Sequence, residues 1–229
     1  IYRDGLQQRP GTLGVSAQAV DLLQRIEAIV YEIEGCPVPV YQDEGELNRL
    51  LDLVRELKPK KILEIGSLHG GTLWYWMHAA PGAEIISVDS GVQAFDGRFE
   101  DIEYARKNLW GEWARQTGCT LTQYRGDSRS RETVEGARQH APFDFVFIDG
   151  GHTYDVAMAD WENYWTMVRE GGMLAFHDIA YPDNNRDGYA VGKVWRKVRE
   201  NGQWQEIIRE HNPEGVWGIV VMWRSTRIA

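Results

Sequence analysis

Glu64, Asp89, Asp127, Asp149 and Asp178 each lie beside a short apolar run. The four aspartates stand at or just after the ends of such runs, and Glu64 precedes the glycine stretch Gly66-Ser67-Leu68-His69-Gly70-Gly71-Thr72. One acid in a loop is ordinary. Carboxylates at successive run ends can accept hydrogen bonds from hydroxyls or amines along a common rim. Asp89 lies about twenty residues beyond the glycine stretch, where an acid at a second strand end holds ribose hydroxyls. Asp127-Ser128 suits either an adenine amino group or the cap of a following helix, and both can hold. His152 follows Asp149 by three residues. An imidazole with a pKa of about 6.5 suits a general base, with a loop-ordering hydrogen bond as the equal alternative. His69 is expected to pack or touch a substrate rather than ligate.

These residues need elements to hold them. Lys60–Thr72 reads as a strand at Ile62–Ile65, a tight turn and a helix start, with the helix over 71–79. Glycines there allow close backbone approach to a ligand, or serve a plain strand-to-helix turn. Further strands are expected at 83–88, Leu121–Tyr124, Phe143–Ile148 and Met173–Phe176, with helices at 98–116, 129–139 and Asp155–Val168 between them. Gly171-Gly172 is expected to end the last of these. Val191, Val194, Trp195 and Val198 mark another helix, whose Lys193, Arg196, Lys197 and Arg199 form a solvated face. Trp204–Ile208 and Trp217–Trp223, around Asn212-Pro213-Glu214-Gly215, read as a hairpin that adds an antiparallel strand to the sheet edge. Upstream, Ser16 begins a helical pattern that runs to Gly35, and Cys36-Pro37-Val38-Pro39 breaks it. Asp43 with Glu46 then resembles a capping box for a helix carrying Leu47, Leu50, Leu51, Val54 and Leu57. The alternation implies an α/β fold, a doubly wound and mostly parallel sheet. Residues 1–58 form an N-terminal helical extension or lid, and 59–229 the ligand-binding domain.

Composition narrows the function. The chain has 229 residues, 43% hydrophobic and 26% charged, enough for one ordinary core. A net charge of -9 argues against nucleic acid or an anionic membrane as partner. No apolar run reaches the roughly 18 residues of a membrane span. The opening IYRDGLQQRPG has no signal-peptide core, and Cys36 and Cys119 make neither a CxxC pair nor a disulfide framework. A cytoplasmic location is therefore expected. Most of the ten tryptophans belong to a core or interface.

The segments LEIGSLHGGT, IISVDS, YRGDS, FDFVFIDGGHTYD and REGGMLAFHDI resemble, in order and spacing, the class I S-adenosylmethionine-dependent methyltransferases over about residues 60–180. FIDGGHTYD and GGMLAFHDI look most like the small-molecule O-methyltransferases, in the branch of cephalosporin-hydroxylase-type and rhamnosyl O-methyltransferase proteins. The resemblance implies a Rossmann-like methyltransferase fold. It implies a cofactor site in which Gly66, Ser67, Gly70 and Thr72 pass the methionyl part and Glu64 lies beneath. Asp89 would hold the ribose, and Asp127 and Ser128 would edge the adenine. It further implies Mg²⁺ or another divalent metal at Asp149, His177 and Asp178. His177 departs from the acid or amide usual at its position and would favour a transition metal or not ligate. Otherwise Asp149 bonds the substrate directly and Asp178 caps the next loop. The expected reaction is methyl transfer to a hydroxyl of a sugar or natural product, with Asp149 and His152 as catalytic residues. Two rival readings are a catalytically inactive S-adenosylmethionine-binding module and a nicotinamide-dependent oxidoreductase. Trp74, Trp76, Tyr154 and the Tyr181–Gly188 loop are expected near the acceptor. A homo-oligomer is left open.

Overall fold

The computed structural model describes residues 35–91, 99–183, 188–209 and 217–225, without the side chains of 99–101. The helical pattern upstream of Gly35 and the Asn212–Gly215 turn lie outside these residues, as does the middle of the Tyr181–Gly188 loop. Helix α1 is Glu44–Leu57, followed by β1 (Lys61–Ile65), α2 (Gly71–Ala79) and β2 (Glu84–Asp89). Next come α3 (Phe99–Asn108), α4 (Trp110–Thr117), β3 (Thr120–Arg125), α5 (Arg131–Arg138) and β4 (Phe143–Ile148). The chain continues with α6 (Tyr154–Tyr164), β5 (Val168–Phe176), α7 (Val191–Val198), β6 (Gln203–Ile207) and β7 (Ile219–Trp223).

The seven strands form one sheet in the order β3-β2-β1-β4-β5-β7-β6. All neighbours are parallel except β7, which runs antiparallel to both β5 and β6. The expected hairpin is therefore present, but its reversed strand lies inside the sheet and β6 forms the edge. Strands 1 to 3 are laid down to one side of β1 and strands 4 and 5 to the other, and this switch point between the parallel neighbours β1 and β4 opens a crevice beyond the strand ends.

Period-two alternation sorts the strand residues between two cores. Ile62, Ile85, Phe145, Phe147, Met173 and Val221 pack with Leu47, Leu50 and Leu51 of α1, Trp76 of α2 and Trp110 and Trp113 of α4. On the other face, Leu63, Ile65, Val146, Ile148, Leu174 and Phe176 meet Val134 of α5, Trp161 and Tyr164 of α6 and Val194 and Trp195 of α7. Lys193, Arg196, Lys197 and Arg199 are exposed on the opposite side of α7.

Two expected boundaries move. The helix over 98–116 is two helices joined at Leu109. The helix from Asp155 ends at Tyr164, and after one 3-10 turn Val168 already pairs with Phe143 in β5. Gly171-Gly172 does not terminate a helix. Gly171 at φ +68° and Gly172 sit within β5, where the register to β4 shifts between Phe143 and Phe145. Their backbone groups are taken up by Arg224: Gly171 N–H donates to its carbonyl at 2.8 Å and Arg224 N–H to that of Gly172 at 3.0 Å. This is the signature of a bulge, which disrupts a ladder locally without ending the strand.

Candidate active site

The exits of β1 and β4 are the closest neighbours at the switch point. Asp149 N–H donates to Ile65 carbonyl at 2.8 Å, and Gly66 N–H to Val88 carbonyl at 2.8 Å. A cavity of about 760 Å³ opens above them. Its lining includes the 66–69 turn, Thr72, Asp89, Asp127, Ser128, Asp149, His152, His177 and Asp178. The volume falls in the usual range for a small-molecule site.

The glycines of the loop are committed to protein neighbours. A Cβ on Gly66 (φ +88°) would lie 2.1 Å from the Asp149 carbonyl oxygen, and one on Gly70 (φ +86°) 2.1 Å from Trp110 Nε1. A Cβ on Gly71 would lie 2.3 Å from the Pro39 carbonyl oxygen. Gly70 is turned to Trp110, whose indole N–H donates to the His69 carbonyl at 2.8 Å, and is not part of the cavity wall. Ser67 and Ser87 share a buried hydroxyl bond of 2.7 Å. Glu64 is sealed beneath, accepting from Trp76 Nε1 at 2.8 Å. Burial pushes its carboxyl up to about 7, opposed by Thr72, Ser67 and Trp76.

Asp89 lines the cavity but is already engaged. Oδ2 accepts from Leu68 N–H at 2.9 Å, and Oδ1 from Gly91 N–H at 2.7 Å and Arg106 at 2.8 Å. Of about four acceptor positions on a carboxylate, three are filled by described residues. Asp127 is clamped by Arg129 through both oxygens, at 2.9 and 2.6 Å, and Arg129 holds its carboxyl down to about 2. Capping of α5 falls to Ser130, which accepts from Thr133 N–H at 3.2 Å. Behind Ser128 lies Asp160 on α6, fully buried, with neither carboxylate oxygen in hydrogen-bond geometry to any described group. Burial pushes it up to about 7, with the Ser128 hydroxyl near enough to oppose this.

At the other end the β4 and β5 exits bring four groups together. One oxygen each of Asp149 and Asp178 and one ring nitrogen of His152 all lie within 4.8 Å of one another. His152 Nε2 is 3.1 Å from Asp178 Oδ2 and 3.8 Å from Asp149 Oδ1. Two hard oxygens and an imidazole nitrogen make a donor set that fits a divalent cation, with the nitrogen favouring a transition metal over Mg²⁺. His177, rather than completing that trio, faces both carboxylates through Nδ1, at 3.2 Å from Asp149 and 3.3 Å from Asp178. Burial opposes its charging, but the two carboxylates raise it well above the ordinary histidine value. Asp149 in turn is held below the usual carboxylate range: burial works upward, and the charges and hydrogen bonds of His177 and His152 outweigh it.

Several wall residues have no signal in spacing or motif. Gln42 donates from Nε2 to Asp149 Oδ2 at 2.5 Å across 107 positions of sequence. Tyr189 stacks on the His152 ring at 4.3 Å, and on Tyr189 at 4.1 Å stacks Tyr181, the first residue of the loop expected near the acceptor, which does line the cavity. Trp217, at φ +62°, and Tyr41 also line the cavity. Trp76 is in the core, and Trp74 and Tyr154 are not among the lining residues. The expected Asp43–Glu46 capping box is half formed. Asp43 accepts from Glu46 N–H at 3.1 Å, while the Glu46 carboxylate turns to Arg209 N–H and Gly218 N–H, both at 2.9 Å.

The sequence matches the family described as "Methyltransferase domain" over residues 63–179. A relative, the uncharacterized protein y4gI of Sinorhizobium fredii, is 23% identical over 151 residues, covering 64% of this chain and 16% of that protein. The chain thus spans about 16% of that relative's length. Among solved structures, the fold is shared with cofactor-bound Rv0187 from MTB at TM-score 0.63 and 17% identity, covering 92% of this chain and 89% of that one. It is shared too with an O-methyltransferase of Bacillus cereus in complex with SAH, at TM-score 0.58 and 17% identity over 93% of this chain and 94% of the other.

Proposed function

This chain belongs to the methyltransferase-domain family, and on that footing we propose that it methylates a hydroxyl of a small molecule, with S-adenosylmethionine as donor. The observation that carries the reading is the shared cavity: the 66–69 turn, Thr72 and Asp89 line the same chamber as Asp149, His152, His177 and Asp178. A donor above the loop and an acceptor over the carboxylates would be held in one chamber, so orientation supplies much of the rate gain. The fold neighbour from Bacillus cereus, itself an O-methyltransferase, carries SAH.

In this reading Leu68 and Arg106 hold Asp89 ready for a ribose hydroxyl, and Ser128 borders the adenine. The sulfonium of the donor supplies an electrophilic methyl group. Asp149 and Asp178 would hold a divalent cation, which when bound supplies positive charge that lowers the pKa of a nearby hydroxyl. His152 takes the acceptor's proton at Nε2, and Asp178 Oδ2, at 3.1 Å, stabilises the imidazolium that results. The same nitrogen cannot ligate a cation while it takes the proton, so His152 has one of these roles in any one step. The Tyr189 and Tyr181 stack fixes the plane of its ring.

Radiolabelled methyl transfer from S-adenosylmethionine to a panel of hydroxylated acceptors tests the reading. Excess chelator should abolish turnover and leave SAH binding intact. Full turnover in chelator would remove the metal from the scheme, and failure to bind SAH would remove the donor. A His152→Ala variant with an unchanged pH–rate profile would take the base role from His152.

A further inference from the structure

We infer that Gln42 is a positioning residue of the reaction centre, fixing which oxygen of Asp149 is offered to a cation. The inference rests on the reading of Asp149 as a cation-holding carboxylate. Gln42 lies in the wall of the cavity, is 4% exposed and reaches Asp149 Oδ2 at 2.5 Å. A carboxylate at that distance only accepts, so the amide nitrogen must face it and the orientation of the Gln42 side chain is fixed. With Oδ2 claimed, Asp149 presents Oδ1 to His152, His177 and the Asp178 side of the cluster. The amide is neutral throughout the working pH range, so it orients Asp149 without competing for its charge.

The neighbourhood of Gln42 is built to keep it there. The next residue, Asp43, caps α1, and Glu46 one turn later is bonded to the backbone on both sides of the β6–β7 connection. Pro39 is pressed against Gly71, where any side chain would clash. Gln42 Oε1 meanwhile is buried without a hydrogen-bond partner among the described residues. A buried unpartnered carbonyl is destabilising, so stability alone does not favour an amide at this position. Outer partners of ligating carboxylates set ligand orientation and affinity.

The test uses the whole chain with Mn²⁺ as probe, followed by calorimetry, and SAH binding measured alongside. Gln42→Met keeps the bulk and removes the donor. Gln42→Asn keeps the amide but withdraws it by one methylene. Either variant should lose roughly 10- to 100-fold in Mn²⁺ affinity, with SAH affinity that of the parent. Unchanged Mn²⁺ affinity in either variant that still binds SAH would overturn the inference. A parent chain that binds SAH but no Mn²⁺, or whose Mn²⁺ survives Asp149→Asn, would overturn it together with the metal part of the proposed function. A parent that binds Mn²⁺ but not SAH would sink the donor reading instead. The Gln42 result then stands on Mn²⁺ affinity, with the unfolding midpoint showing that the variants fold.

Discussion

Asp160 is an acid whose protonation is strongly altered by burial. It is fully buried, its oxygens meet no described group in hydrogen-bond geometry, and the Ser128 hydroxyl and the charges of Asp127 and Arg129 act on it more weakly than burial does. Its carboxyl rises from 3.8 to about 7, so the folded chain keeps a proton that the unfolded chain has released across that interval. Stability from this group is therefore full below pH 4 or so and is lost as pH rises towards 7. A difference of about 3 in pKa corresponds to roughly 4 kcal/mol at most. Asp160→Asn should accordingly unfold at a higher denaturant concentration than the parent at pH 8, by roughly 2–4 kcal/mol in free energy, and show little difference at pH 4. A parallel pair of stability–pH curves would show that Asp160 does not titrate in this window. His177 illustrates a different point at the same scale. Its type suggests a metal ligand, and its Nδ1 faces two carboxylates that raise its pKa well above the ordinary histidine value.

At the scale of elements, the start of α1 holds more than its own helix. Glu46 is 1% exposed and accepts from Arg209 and Gly218, which flank the 210–216 segment, and the Arg209 guanidinium lies 5.2 Å over the Trp217 ring. Removing the carboxylate leaves two backbone donors without their acceptor, each costing about 1–3 kcal/mol. Glu46→Ala should therefore lower the unfolding free energy by roughly 2–5 kcal/mol in a urea titration, and Glu46→Gln, which keeps one acceptor oxygen, by less. Equal stability of all three proteins would refute this account of the staple. The element also shows why one motif was half legible. Asp43-x-x-Glu46 announces a helix start because both residue types favour the first turn, and Asp43 does cap it. The glutamate's other option, a bond to backbone more than 160 positions away, leaves no trace in local spacing.

For the molecule as a whole, the switch point between β1 and β4 made the site readable. Apolar runs ending in acids predicted strands because a parallel strand buried on both faces needs continuous apolar residues, and those runs converge on one rim. The bulge at Gly171-Gly172 was not readable, since paired glycines after a helical pattern signal a stop as well as a bulge. Gln42, Tyr189 and Trp217 were not readable either, because they reach the cavity through tertiary placement and carry no motif. The Glu46 staple has a further consequence for how the molecule breathes. The amide protons of Arg209 and Gly218 and that of Leu47, bonded to Asp43 carbonyl at 2.9 Å, belong to one hydrogen-bonded unit that ties the start of α1 to both sides of the β6–β7 connection. Units of this kind open cooperatively. In native-state deuterium exchange these three amides should share one opening free energy, and Glu46→Ala should split them, leaving Leu47 slow while Arg209 and Gly218 exchange early.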